Sequence, residues 1–185
     1  MLRDKLRMAV VLFILSESVF FLLLIIAYIA YHLKASSGPT AAQTLDLRSG
    51  LFFSFFLFAS SFTMWRAEVN LRKEHRRALA AWLGTTIVLG AIFLFGQGRE
   101  YAHLLAGDIT ISRDLFGTTF FTLTGFHGMH VFTGLILLVV LCLLAVFGRR
   151  TEPKPHAVAA IGYYWHFVDA VWVIIFSVVY LWAFL

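Results

Sequence analysis

Charged residues are scarce in this sequence. Aspartate, glutamate, lysine and arginine make up 14% of its 185 residues, whereas hydrophobic residues make up 61% and the mean hydropathy is +0.85. A soluble domain carries about 25% charged residues. The composition therefore excludes an ordinary soluble domain and predicts an integral membrane protein.

Cysteine is almost absent as well. The single Cys142 lies inside an apolar run, which excludes a disulfide framework and a CxxC metal or redox motif. The sequence also has no HExxH pattern, no internal repeat and no low-complexity tract. Its basic N-terminus leads into an apolar run far longer than the core of a signal peptide, so we expect no cleavable signal.

What the sequence does contain is long apolar segments. Five of them reach the roughly 20 residues that a bilayer requires, at about 8–33, 50–70, 78–104, 116–147 and 157–184. A membrane-spanning segment must satisfy its own backbone hydrogen bonds, so each is predicted to be a helix. The connecting loops are too short for a soluble domain. We therefore predict an all-α, polytopic bundle of five transmembrane helices that forms one transmembrane domain over residues 1–185.

The basic residues indicate the orientation, because lysine and arginine concentrate in cytoplasmic loops. With a cytoplasmic N-terminus, the inner side holds Arg3, Lys5, Arg7, Arg66, Arg72, Lys73, Arg76, Arg77, Arg149, Arg150 and Lys154. The outer side holds only Lys34, Arg48, Arg99 and Arg113. We predict a cytoplasmic N-terminus and a periplasmic C-terminus. The net charge of +5 is thereby explained by topology, and no nucleic-acid partner is expected.

Several polar residues nevertheless lie inside the apolar segments, where a charged side chain costs about 2.5–3.5 kcal/mol on insertion scales. Glu17 lies in the first segment, and Gln97 and Glu100 lie toward the outer end of the third. Two pairs with a spacing of three residues follow: His127 and His130 in the fourth segment, and His166 and Asp169 in the fifth. Each of these residues requires a partner or a function.

Two interpretations of the histidine pairs remain open. A polar network between the fourth and fifth segments is favoured, because Gly125, Gly128 and Gly134 allow neighbouring helices to approach closely. The alternative is a zinc, iron or haem site, for which histidine and aspartate are suitable ligands. The spacing alone is weak support for such a ligand site.

Glu17 is a separate case, because no basic residue lies within one helical turn of it. In one interpretation Glu17 handles protons or supports a proton path in a partner. In the other it is a neutral acid that is hydrogen-bonded to Ser16, Ser18 or another helix. The sequence does not distinguish between these two roles.

Other polar and aromatic residues suggest contacts with lipid or a neighbouring subunit. The first role of the basic loop is to determine topology, and its second is to bind anionic lipid headgroups or an adjacent subunit. Its residues are Arg72, Lys73, Arg76 and Arg77. Tyr163 and Trp165 belong to an aromatic group that favours packing and interfacial anchoring over a quinone pocket.

Four motifs in order carry a family resemblance. They are LFILSESVFF in the first segment, QGREYAHLLAGDITISRDLFGTTFF from the third segment onward, TGFHGMHV in the fourth and GYYWHFVDAVW in the fifth. Together they resemble cytochrome c oxidase subunit III over nearly the whole chain, in the short five-helix form typical of bacterial oxidases.

The resemblance implies an accessory subunit of a respiratory haem–copper oxidase in the bacterial inner membrane. It implies that this chain has no catalytic residue and no metal, and that the partner subunits I and II hold the haem and copper. It also implies that this chain has a role in proton uptake, complex stability and phospholipid binding. A respiratory supercomplex is a further possible setting. The residues that match the polar positions of the family are Glu17, Gln97, Glu100, His127, His130, Tyr163, Trp165, His166 and Asp169.

Alternatives remain open at this stage. Similar short chains accompany quinol oxidases and nitric oxide reductases. A stand-alone membrane haem or metal protein is a further hypothesis, whereas a transporter is disfavoured by the lack of an inverted repeat.

Overall fold

The computed structural model describes residues 2–34, 41–111, 115–148 and 154–182, and every regular element among them is helical. Side chains in the first helix are described from residue 8 to residue 33. Some residues counted for the orientation lie outside the described side chains, namely Arg3, Lys5, Arg7, Lys34, Arg113, Arg149 and Arg150. The predicted end of the fifth segment, 183–184, also lies outside the described residues.

Six α-helices follow one another in the described residues. They are α1 (Leu2–Lys34), α2 (Ala41–Thr44), α3 (Leu47–Arg72), α4 (Arg76–Ala106), α5 (Leu115–Phe147) and α6 (Pro155–Phe176). The last helix continues as a π-helix over Ser177–Leu181.

The prediction of five helices that are long and apolar enough to span a membrane is confirmed. These spans are Met8–Leu33, Leu47–Arg72, Arg76–Ala106, Leu115–Phe147 and Pro155–Leu181. The protein is therefore a multi-pass, all-helical membrane protein.

Two details differ from the expectation. The stretch before the second span contains the short helix α2, which is too brief to produce a hydropathy signal. Helix α3 begins at Leu47 rather than residue 50, because the carboxylate of Asp46 accepts a hydrogen bond from the Arg48 backbone amide at 3.0 Å and caps the first turn.

Helix α6 lies at the centre of the bundle. It packs against α1, α3 and α5, while α3 and α4 form a closely packed pair and α5 bridges α4 and α1. More than half of the α6 span is buried, whereas little of α1 is. Polar side chains of α6 can therefore reach three other helices.

Two glycines make room for the indole of Trp165. A Cβ atom at Gly90 of α4 would lie 2.9 Å from Trp165 Cη2, and one at Gly134 of α5 would lie 2.8 Å from Cε3. Such distances are too short for any larger residue without movement of the ring. Glycine at these two positions thus allows α4 and α5 to close around a tryptophan of α6.

Candidate functional site

Glu17 and His130 meet between α1 and α5. Glu17 Oε2 lies 3.1 Å from His130 Nε2, and both side chains are mostly buried. The other ring nitrogen of His130, Nδ1, lies 2.8 Å from the Phe126 carbonyl oxygen one helical turn away. The partner of Glu17 lies 113 residues away in the sequence, so it could not be identified from the residues near Glu17.

This geometry fixes the number of protons at the pair. A carbonyl oxygen only accepts hydrogen bonds, so His130 Nδ1 must donate to it. The contact between Nε2 and Oε2 then contains one further proton, held either by the imidazole or by the carboxyl group. The pair can therefore exist as an imidazolium and a carboxylate, or as a neutral histidine and a neutral acid.

The pair borders a groove of about 860 Å³ between α1, α5 and α6. Its walls are mainly apolar and include Phe13, Met129 and Ile161. On the α6 side, the Tyr164 hydroxyl donates to the His130 carbonyl oxygen at 2.9 Å. The groove thus combines one exchangeable proton with a long apolar lining.

His127 has a different environment although it lies only three residues from His130. Its ring is fully buried and stacks on Trp172 of α6, with ring centroids 4.8 Å apart. Phe21 and Phe93 present their rings edge-on to it. Neither ring nitrogen has a hydrogen-bond partner among the described residues. His127 therefore packs as an aromatic ring.

His166 and Asp169 turn to α3 instead of α5. His166 Nδ1 lies 3.0 Å from Ser61 Oγ, and the same hydroxyl donates a short hydrogen bond to Asp169 Oδ2. Since the Ser61 hydroxyl has only one proton and donates it to Asp169, His166 Nδ1 must donate to Ser61 Oγ. The four residues expected to form one network between the fourth and fifth segments are thus divided among separate contacts.

Other serines of α3 contact tryptophans of α6. Ser54 Oγ accepts from Trp172 Nε1 at 2.8 Å, and Ser60 Oγ accepts from Trp165 Nε1 at 2.9 Å. None of the serines Ser54, Ser60 and Ser61 was identified from the sequence, although Ser54 and Ser61 are spaced by two helical turns within an apolar run. A serine in such a run is a weak signal on its own.

Gln97 and Glu100 lie near one another on α4. The Gln97 amide nitrogen donates to the Thr124 carbonyl oxygen at 2.7 Å, and Glu100 Oε2 accepts a short hydrogen bond from the Tyr180 hydroxyl. Tyr180 belongs to the π-helical end of α6. Neither Thr124 nor Tyr180 was identified from the sequence as the partner of these residues.

The residues expected at lipid or subunit contacts occupy contrasting positions. Tyr163 is half-exposed, and Arg72, Lys73 and Arg77 are exposed. Trp165, however, is 0% exposed within this chain. The physical reason is that Gly90 and Gly134 open a slot for its ring inside the bundle.

Arg76 also has a role that was not predicted. Its guanidinium donates to the carbonyl oxygens of Ala145, Leu144 and Gly148 at 2.6, 3.3 and 2.7 Å. These carbonyls lie at the end of α5, where the last carbonyls of a helix lack the usual helical partners. The Leu144 carbonyl oxygen also accepts from the Gly148 backbone amide at 3.0 Å. Arg76 thus caps α5 from the start of α4.

No group of three or more histidine, cysteine, aspartate or glutamate side chains in the described part of the chain is arranged to hold a metal ion. His127, His130 and His166 are directed to three different surroundings, namely Trp172, Glu17 and Ser61.

Comparison with known proteins matches these features to one family. A family model described as cytochrome c oxidase subunit III matches residues 1–184. Similar proteins include cytochrome c oxidase subunit 3 of Synechocystis sp., which is 39% identical over 96% of this chain and 76% of that protein. A probable cytochrome c oxidase subunit 3 of Mycobacterium leprae is 34% identical over 92% and 84% of the two chains. The subunit 3 of Thermostichus vulcanus is 32% identical over 94% and 86%.

The match covers the whole described helical bundle and all the polar residues discussed above. It agrees with the family expected from the four sequence motifs. The chain belongs to the cytochrome c oxidase subunit III family.

Proposed function

We propose that the chain serves as the accessory subunit III of a respiratory haem–copper oxidase in a bacterial inner membrane. Subunits I and II hold the haem and copper, and this chain contributes no catalytic residue of its own. Its N-terminus is cytoplasmic and its C-terminus periplasmic. Family membership over the full length of the chain is the observation that carries this assignment.

Purification from native membranes tests the assignment. An affinity-tagged full-length chain is expected to bring with it two larger subunits together with haem and copper, and to lose all haem absorption once separated from them. One haem per isolated chain would instead favour a stand-alone haem protein. A partner without a two-copper centre would favour a quinol oxidase, and a nitric oxide reductase partner would indicate that system.

The Glu17–His130 pair is proposed to support proton uptake into the catalytic subunit. The supporting observation is the contact of 3.1 Å between Glu17 Oε2 and His130 Nε2 at the border of the groove, from which we infer a single shared proton. Because the proton can move between the two groups without breaking the contact, either group can pass a proton to a neighbouring path or accept one from it. We propose that it assists proton entry and is not an obligatory carrier.

A Glu17→Gln variant separates these roles. Glutamine can keep a hydrogen bond to His130 but cannot take up or release the proton. The variant is expected to assemble normally and to reduce oxygen with a lower rate or a shorter active lifetime. Ser16→Ala, which alters a neighbouring residue of the same groove, is the matched control. Full loss of oxygen reduction in an assembled Glu17→Gln oxidase would contradict the supporting role.

Phospholipid binding in the groove is the second proposed function. Its volume of about 860 Å³ lies within the size range of ligand pockets, and its walls are mainly apolar along α1, α5 and α6. These features suit an acyl chain. Lipid analysis of the purified oxidase is expected to show fewer retained phospholipids after Met129→Trp, which narrows the groove. An unchanged lipid content would contradict this proposal.

A further inference from the structure

A second, much smaller cavity lies between α3, α4 and α6, away from the groove. It has a volume of about 10 Å³, and Gln97, Glu100, Ser49 and Tyr180 line it together with apolar residues. Nothing in the proposed function of the Glu17–His130 pair involves this cavity.

Gln97, one of the residues that line the cavity, has a buried side-chain oxygen. The residue is 8% exposed, and its Oε1 atom has no hydrogen-bond partner in the part of the chain that the structure describes. The amide nitrogen is directed at the Thr124 carbonyl oxygen, 2.7 Å away. A rotated amide would place two oxygens against each other there, so the orientation of Gln97 is fixed by Thr124.

Glu100 brings a second such oxygen. Its Oε2 accepts from the Tyr180 hydroxyl, whereas Oε1 is buried and has no partner among the described residues. A buried oxygen that lacks a hydrogen bond costs about 1–3 kcal/mol. Two such oxygens, on Gln97 and Glu100 of one cavity, would substantially lower the stability of the folded chain unless a hydrogen-bond donor lies between them.

We propose that the cavity binds one water molecule, which donates one hydrogen bond to Gln97 Oε1 and the other to Glu100 Oε1. The volume of about 10 Å³ lies at the lower end of the space that a single water requires. A water also has the two donors that these acceptors lack. A metal cation such as Ca²⁺ requires six to eight oxygen ligands, which this lining does not supply.

The site would give the π-helical end of α6 a function. The π-helix places Tyr180 so that its hydroxyl reaches Glu100 Oε2. Tyr180 therefore occupies one carboxyl oxygen and leaves the other to the water. In this arrangement Glu100, Gln97 and the water join α4 to α6 through hydrogen bonds rather than through apolar packing alone.

A density map of the assembled oxidase, at a resolution that shows ordered water elsewhere in the same subunit, tests the proposal. One peak is expected within hydrogen-bonding distance of both Gln97 Oε1 and Glu100 Oε1. A cavity without density in such a map would overturn the proposal. A peak surrounded by five or more oxygen atoms at metal–ligand distances would overturn it in favour of a cation.

Two variants sharpen the test. Gln97→Met retains the side-chain length but removes the acceptor, so the peak is expected to disappear. Tyr180→Phe frees Glu100 Oε2 and the space of one hydroxyl, so a second peak is expected beside the first. A peak that persists unchanged in Gln97→Met would overturn the assignment of Gln97 as a water ligand. The wild-type map decides the main question even if neither variant assembles.

Discussion

The indole nitrogen of Trp172 donates a hydrogen bond to Ser54 Oγ at 2.8 Å, and both side chains are buried. This contact joins α6 to α3 inside the bundle. In Ser54→Ala the indole N–H would be left buried without its acceptor, which costs about 1–3 kcal/mol. We expect a lower thermal denaturation midpoint for this variant in the purified oxidase.

Ser177→Ala is the matched control for that measurement. Ser177 is an exposed serine whose hydroxyl donates to the Val173 carbonyl oxygen of its own helix and to no other group among the described residues. Its replacement is expected to leave the midpoint unchanged. Equal midpoints for Ser54→Ala and the wild type would show that the Trp172 contact contributes nothing to stability.

The slot for Trp165 gives a steric prediction. Gly134→Ala would place a methyl group 2.8 Å from the indole, and overpacking of this kind costs about 1–3 kcal/mol. Gly84→Ala is the control, because nothing lies within 4 Å of the added methyl group there. Subunit retention during purification is expected to fall for Gly134→Ala only. Similar losses in both variants would show that the contact with the Trp165 ring does not control the result.

Arg76 gives a prediction at the end of α5. In Arg76→Gln the carbonyl oxygens of Ala145 and Gly148 lose charge-assisted hydrogen bonds, which are worth about 1.5–3 kcal/mol each. Hydrogen exchange at residues 144–148 is expected to accelerate. Arg77→Gln, a change at the exposed neighbouring arginine, is expected to leave this exchange unaffected. Unchanged exchange in Arg76→Gln would refute the cap.

His127 permits a prediction that separates packing from polarity. Because neither ring nitrogen has a partner in the described residues, His127→Phe keeps the stack on Trp172 and removes two buried polar atoms. We expect it to assemble with unchanged or higher thermal stability. His127→Ala loses the aromatic pair, worth about 0.5–1.5 kcal/mol, and leaves a cavity, so it is expected to impair assembly. A His127→Phe oxidase as unstable as His127→Ala would show that the ring nitrogens do form essential hydrogen bonds.

The sequence allowed the spans to be predicted because hydropathy is a local property. The five apolar segments each appear as one helix, with ends that differ by a few residues where a cap such as Asp46 sets the start. The motifs containing Glu17, His127 and Asp169 likewise indicated the family. Both results depend on residues that are close together in the sequence.

Partner assignment could not be predicted, because it depends on how helices are arranged around one another. His130 and Glu17 are 113 residues apart, and no local pattern links them. The hydroxyl of Ser61 was overlooked because serine inside an apolar run has several possible roles. The slot for Trp165 and the cap by Arg76 could not be predicted for a similar reason, because both require a second helix.

The central claim is that Glu17 and His130 act as one proton-sharing unit that supports turnover of the oxidase. It is tested most directly by measuring the active lifetime and the rate of oxygen consumption for Glu17→Gln, His130→Gln and the double variant in assembled oxidase. If the two groups form one unit, each single variant loses about as much as the double variant, because either change removes the shared function. Losses that multiply in the double variant, or a Glu17→Gln oxidase that is indistinguishable from the wild type, would contradict the account.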